Sequence, residues 1–334
     1  MQPRGGNPGT GAGEDGLDRF SGALHTSAEE RPPAGTGHAA VLFRTAREYS
    51  RAVGDFVRAG LDAGHRVMVA VPGAHADVIR DCLGPRAARV SFAEMTELGR
   101  NPGRIIPAIQ AFADFHPGQL LRIVGEPDWP SRTAAERVEV VRHEALLNVA
   151  FGDGNVQILC PYDAGRLGPD VIALAEQTHP VIMRDGRAGR HPGYGGSRPP
   201  AAADQPLPDP PPGTPGLTYR DEPAAARQFA RELAAAAGLT EPRLTDLVIA
   251  VGELAANTLR HTGGPGSVRL WVEAGEVICE VRDSGRIPDA LAGRRCPPAD
   301  AGRGHGLWVV YQVCDLVEMR TGASGTVFRL HMGL

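Results

Sequence analysis

The sequence predicts two folded blocks of different class, α/β followed by α+β. Three observations lead there. Short apolar strands alternate with helical patterns over residues 36–186, whereas 217–334 runs two helices, a hairpin, a Gly-rich connection, a helix and another hairpin. Between them, 15 of the 30 residues of 187–216 are Gly or Pro, including Pro210-Pro211-Pro212, so that stretch cannot form a core and reads as a flexible linker. Residues 1–35, rich in Gly, Pro, Ser, Thr and acidic residues without sustained periodicity, read as a disordered leader.

In the first block, 39–43, 66–71, 90–92, 120–124, 156–160 and 180–183 read as strands, and 46–59, 74–82, 104–115, 131–150 and 169–177 as helices. This alternation predicts a mostly parallel sheet with flanking helices, whose ligands bind beyond the carboxyl ends of the strands. In the second block, Thr240-Glu241-Pro242 reads as a helix start, with the Thr240 hydroxyl as cap and proline in the first turn. Leu244, Leu247, Val248, Val251, Leu254, Ala255 and Thr258 then trace its buried stripe. Residues 268–272 and 277–281 alternate as strands around Gly275, and 316–321 and 326–332 form the last hairpin. The result is an α/β sandwich with helices on one face of a small sheet.

Composition narrows the chemistry. All 35 basic residues are arginine, so a GxxxxGK[ST] phosphate loop and lysine nucleophiles are both excluded. A net charge of −4 gives no footprint for direct nucleic-acid or membrane contact. Five scattered cysteines without CxxC spacing read as reduced thiols, and with no signal-peptide core or long apolar run they predict a cytoplasmic protein.

Glu253, Asn257 and His261 recur at i, i+4 and i+8 on one face of the Thr240 helix. A carboxylate, an amide oxygen and an imidazole in a row suit a magnesium-bound phosphate chain, because magnesium takes hard oxygen ligands and keeps several waters. A solvated helix face is the plain alternative for the trio alone. Asp283-Ser284-Gly285 follows a strand end, where a carboxylate can accept from an exocyclic amine. Gly302, Gly304 and Gly306 open a helix, offering N–H groups to anions without any lysine.

ELAANTLRH, VRDSG, GRGHGLWVV and GTVFRL resemble, in this order, the boxes of the GHKL ATP-binding fold shared by gyrase, histidine kinases and MutL. Within that fold, residues 217–334 are similar to the bacterial anti-sigma serine kinases. The resemblance implies ATP and Mg2+ as cofactors, Asn257 as magnesium ligand and Glu253 as general base or water-orienting carboxylate. It also implies that Asp283, with Gly285, reads adenine, that Thr326 supports Asp283, and that His261, Gly302, Gly304 and Gly306 line the phosphates. Arg303 in the lid reaches the γ-phosphate, a partner, or solvent. One position departs from the pattern: Ile287 stands where the first glycine box has its second glycine, implying a loop bent differently or a looser adenine contact.

HAAVLFRTAREYSRAVGDFVRAGLDAGHRVMVAVP, GEPDWP, HEALLN and ILCPYDAGRLG make 36–186 similar to the MEDS sensory domain, a relative of recombinase-type ATPases. The first sheet is therefore recombinase-like, although the turn after Val71 lacks the lysine and Ser/Thr of a hydrolytic loop. Glu126, Trp129, Tyr162 and Asp163, at one sheet edge, are the candidates for sensing a small organic ligand; capping and core roles are the plain readings of Tyr162, Asp163 and Trp129. His143-Glu144 mimics a phosphoacceptor pair but reads as helix surface, and His38 as structural.

Together these readings imply a signal-responsive anti-sigma regulator that binds Mg-ATP and phosphorylates a partner on Ser or Thr. A sigma factor or an anti-anti-sigma-like protein is the expected partner, and a homodimer is allowed. The alternatives are a non-catalytic ATP-dependent binding switch and a sensor histidine kinase component without its own phosphoacceptor.

Overall fold

The computed structural model describes residues 37–127, 129–152, 155–298 and 304–334. The expected leader, 1–35, lies outside the described residues, as do Gly302 and Arg303. Among the described residues no helix is long and apolar enough to cross a membrane.

The first block is built on β1 (His38–Phe43), β2 (Arg66–Val71), β3 (Val90–Glu94), β4 (Leu121–Gly125), β5 (Val156–Asp163), β6 (Val181–Arg184) and β7 (Arg187–Arg190), in the order β3-β2-β4-β5-β1-β6-β7. Every neighbouring pair is parallel except β6 and β7. Helices α1 (Ala46–Asp62) and α2 (Gly73–Leu83) pack on one face. On the other lie α3 (Met95–Leu98), α4 (Ile105–Phe115), α5 (Ala134–Ala150) and α6 (Pro169–Thr178). Caps fix the starts of the two long helices. Thr45 accepts from the Glu48 amide at α1, and Thr133 with Glu136 forms a reciprocal capping box at α5.

Strand β7 lies inside the stretch read as linker. Asp185 and Gly186 both adopt positive φ, 51° and 77°, the backbone of a two-residue hairpin turn that reverses β6 into β7.

In the second block, β8 (Gly216–Tyr219), β9 (Gly266–Glu273), β10 (Glu276–Asp283), β11 (Leu316–Gly322) and β12 (Gly325–Gly333) form an antiparallel sheet ordered β11-β12-β10-β9-β8. Helices α7 (Pro223–Ala236), α8 (Arg243–Thr262) and α9 (His305–Val313) share one core with it. Ala226, Ala230 and Ala234, spaced by four, are buried in the α7 surface. The start of α8 differs from the sequence expectation: it begins at Arg243, and the Glu241 carboxylate, rather than the Thr240 hydroxyl, accepts from the Thr245 amide at 3.1 Å.

The two blocks are docked. The α5 carboxylate of Glu139, fully buried, accepts from Arg294 at 2.9 Å and from Arg320 at 2.7 Å. Asn101 donates to the carbonyls of Tyr311 and Cys314 at 2.9 and 3.2 Å, and Arg104 donates to the same pair at 3.2 and 2.7 Å. First-block side chains thus cap the C-terminal end of α9, where carbonyls lack helical partners and cations are favoured. Gly103 permits this approach, since a Cβ there would stand 2.2 Å from the Tyr311 ring. Leu291 inserts into the core under the first sheet. The Pro-rich connection follows the second sheet, with Asp204 on Arg142 and the carbonyls of Gln205 and Pro208 accepting from Arg320 and Arg329.

Packing of α5 against the first sheet overturns one expectation. His143 and Glu144, read as helix surface, are each 1% exposed. With the first sheet on one side and the second block on the other, α5 has little free face left. Burial pushes the His143 imidazole down to about 3, against the pull of Glu144.

Candidate functional site

The cavity that gathers the sequence candidates lies between α8, the carboxyl end of β10 and the N-terminus of α9. It encloses about 1260 Å³. Glu253, Asn257 and His261 border it along one face of α8, because residues four apart stack on a helix. Across from them α9 begins at Gly304, whose φ of 99° lets the chain turn sharply into the helix. A Cβ on Gly306 would fall 2.4 Å from Glu253 Oε2 and 3.6 Å from Asn257 Nδ2. Glycine therefore brings the α9 backbone against the polar stripe of α8. Helix N–H groups, a carboxylate and an amide converge there, an arrangement suited to an anion held with a hard cation.

At the other end of the cavity, Asp283 terminates β10. Its Oδ2 accepts from Thr258 at 2.8 Å and its Oδ1 from the Gly285 amide at 2.8 Å. Tyr219 in turn donates to Thr258 at 3.1 Å. The carboxylate is oriented from two sides while its edge faces the cavity. Thr326 is the register partner of Asp283 across β12 but bonds elsewhere: its hydroxyl donates to the Gly285 carbonyl at 2.8 Å. Thr321 lies 2.9 Å from Thr326 and accepts from the Ile287 amide at 3.0 Å. This chain of hydroxyls holds the loop after Asp283 without a second glycine, and Ile287 is not among the residues at positive φ. With Val281, Leu307 and Phe328 it supplies an apolar wall.

Sequence reasoning missed Tyr219, Thr258 and Thr321. Thr258 was visible as one more residue of the buried α8 stripe, but its bond to a residue 25 positions on depends on packing. Gly302 and Arg303 lie outside the described residues.

The first block's four candidates separate. Glu126 and Asp163 lie at the carboxyl edge of the sheet, beyond β4 and at the end of β5. Glu126 is 4% exposed, and its carboxylate meets His75 Nδ1 at 2.7 Å and accepts from Tyr49 at 3.3 Å. The His75 ring is pushed up by the Glu126 hydrogen bond, against burial. Tyr162 points to the opposite face by strand alternation and is buried edge-on to His179. Trp129 packs into the same core, with the Arg132 guanidinium 3.6 Å over its ring. His75 and Tyr49 are the partners that sequence alone did not select.

Two family models match the chain. Residues 37–180 match MEDS, the MEthanogen/methylotroph, DcmR Sensory domain, and residues 219–332 match the histidine kinase-like ATPase domain. No curated protein matches it. The second match implies ATP binding, and the pairing of a sensory with a kinase-like module marks a signalling regulator. The chain therefore carries a MEDS sensory domain followed by a histidine kinase-like ATPase domain.

Proposed function

We propose that this regulator binds Mg-ATP in the 1260 Å³ cavity and transfers the γ-phosphoryl group to a Ser or Thr of a partner protein, as an anti-sigma-type kinase. The observation that carries the reading is the convergence of the Glu253-Asn257 stripe, the glycine-opened N-terminus of α9 and the braced Asp283 on one cavity. The donor set fits the group: an amide oxygen and a carboxylate for the cation, backbone N–H groups for phosphates, and a carboxylate beside an apolar wall for a purine amine. Asn257 would hold magnesium, which would supply neutralisation of the charge that builds during transfer.

The chain's own residues do the rest. Asn257 presents its Oδ1 to the cation, for which Arg260, now donating to that oxygen at 3.2 Å, swings into solvent. Glu253 accepts the proton of the attacking hydroxyl. Asp283, held by Thr258 and Gly285, accepts from the adenine amine. His261, Gly304 and Gly306 border the phosphates.

Control by the first domain runs through the docked surface. Leu291 and Arg294, between Asp283 and α9, are held by the first block, and Asn101 and Arg104 grip the far end of α9. A small organic ligand at the Glu126–His75 edge would act on the ATPase domain through these contacts. An internal phosphoacceptor at His143 is opposed by its burial, which favours an acceptor on a separate protein such as a sigma or anti-anti-sigma partner.

Incubation of the full chain with γ-labelled ATP and candidate partners tests the reading. Acid-stable label on a partner Ser or Thr is expected. Acid-labile label would instead indicate a histidine kinase component, and ATP-dependent partner binding without turnover a non-catalytic switch.

A further inference from the structure

Under the first sheet, far in sequence from any of the cavity residues, four side chains of three chemical kinds meet. His38 opens β1, Glu144 lies on α5, Cys160 is in β5, and His179 follows α6. His38 Nε2 is 3.0 Å from Glu144 Oε2 and 3.4 Å from Cys160 Sγ, and His179 Nε2 is 2.9 Å from the same Glu144 oxygen. All four donor atoms lie within 4.8 Å of one another, and all four residues are buried.

The surrounding hydrogen bonds settle which ring nitrogens carry protons. Asn148 Nδ2 donates to the Thr178 carbonyl at 2.9 Å and the Glu144 carbonyl at 3.2 Å, so its Oδ1 must face His38 Nδ1, 3.1 Å away. His38 Nδ1 is therefore a donor. His179 Nδ1 lies 2.7 Å from the Ala175 carbonyl, which can only accept. Nδ1 of each ring therefore carries a proton, and Nε2 of each is the atom that faces the Glu144 carboxylate. In that arrangement two nitrogens, a carboxylate oxygen and a sulfur converge, the donor geometry of a cation site.

We propose that these four residues bind a divalent transition-metal ion, zinc by the donor set. Two imidazoles, a carboxylate and a thiolate complete a tetrahedron, and bonds of about 2.0–2.3 Å give edges of roughly 3.3–3.8 Å, close to the separations here. Asn148 and the Ala175 carbonyl act as the outer partners that fix ligand tautomers in metal sites. A cavity of about 100 Å³ shared by His38, Asn148 and Tyr194 offers an entry path. With four protein donors the site is closed and structural: the ion ties β1, α5, β5 and the end of α6 together. On α5, Glu144 sits five residues from Glu139, so the tie also steadies the helix that docks the ATPase domain.

The test uses the full chain. After incubation with Zn2+ and desalting, elemental analysis should find one zinc per chain. Replacement by Co2+ should give tetrahedral visible bands and a sulfur-to-cobalt charge-transfer band in the near ultraviolet. Cys160→Ser should remove the charge-transfer band, whereas Cys296→Ser, at an exposed thiol, should keep it. His179→Ala should weaken zinc binding by at least about 100-fold. Should that variant fail to fold, the wild-type metal content and the two cysteine variants still decide. Zinc below about a tenth per chain in the wild type would mean that protons alone balance the cluster and would overturn the site, as would a charge-transfer band that survives Cys160→Ser.

Discussion

Glu139→Gln is the sharpest probe of how the two domains are held. The carboxylate is fully buried and receives Arg294, itself 2% exposed, at 2.9 Å and Arg320 at 2.7 Å. At an effective dielectric of about 20, charges about 4 Å apart attract by about 4 kcal/mol per pair, much of which offsets the desolvation of three ions. Removing the negative member leaves the Arg294 guanidinium buried and uncompensated, and breaking such a pair costs about 3–5 kcal/mol. Glutamine keeps shape and one acceptor, so charge, not volume, is what changes. Urea denaturation, which adds no salt, should show a loss of that size, and limited proteolysis should open cleavage in the Pro-rich connection near Gln205 and around Arg294. Wild-type stability to within about 0.5 kcal/mol, together with an unchanged cleavage pattern, would refute the clamp.

His331 makes stability depend on pH. Burial opposes its charge, but the Glu276 and Glu318 carboxylates, each 3.0 Å away, raise its pKa to about 9 from an ordinary 6.5. Because the folded value is the higher one, the stabilisation is complete below pH 6.5 and is lost as pH rises toward 9, by about 3 kcal/mol. Stability curves across this window should slope downward, and His331→Gln should flatten them. Gly306→Ala should leave the unfolding free energy within about 1 kcal/mol, since alanine favours helix and only the end of Glu253 must move. By displacing that carboxylate from 2.4 Å of the new Cβ, it should nonetheless cut nucleotide turnover by at least about tenfold.

Much of this arrangement is legible in the chain, for physical reasons that differ by element. The α8 stripe declares itself because Glu253, Asn257 and His261 interrupt an apolar period at a fixed interval, and a helix converts that interval into one face. Parallel strands likewise follow from alternation, and with them the carboxyl edge where Glu126 and Asp163 lie. What period and composition do not encode is the meeting of distant faces. His143 and Glu144 look like surface residues until α5 is laid against the first sheet, and nothing local announces that Arg294 is received by Glu139. The His38, Glu144, Cys160 and His179 cluster draws one residue from each of four elements, so no local spacing announces it. The Asp185-Gly186 turn was readable from its residue types, but the surrounding glycines and prolines masked it.

Calorimetric titration of the full chain with ATP, in the presence and absence of Mg2+, addresses the nucleotide site most directly when wild type and Asn257→Ala are compared. Magnesium-dependent binding that Asn257→Ala weakens by at least about tenfold is the predicted result. Equal affinity of the two proteins, or no binding by the wild type, would contradict it.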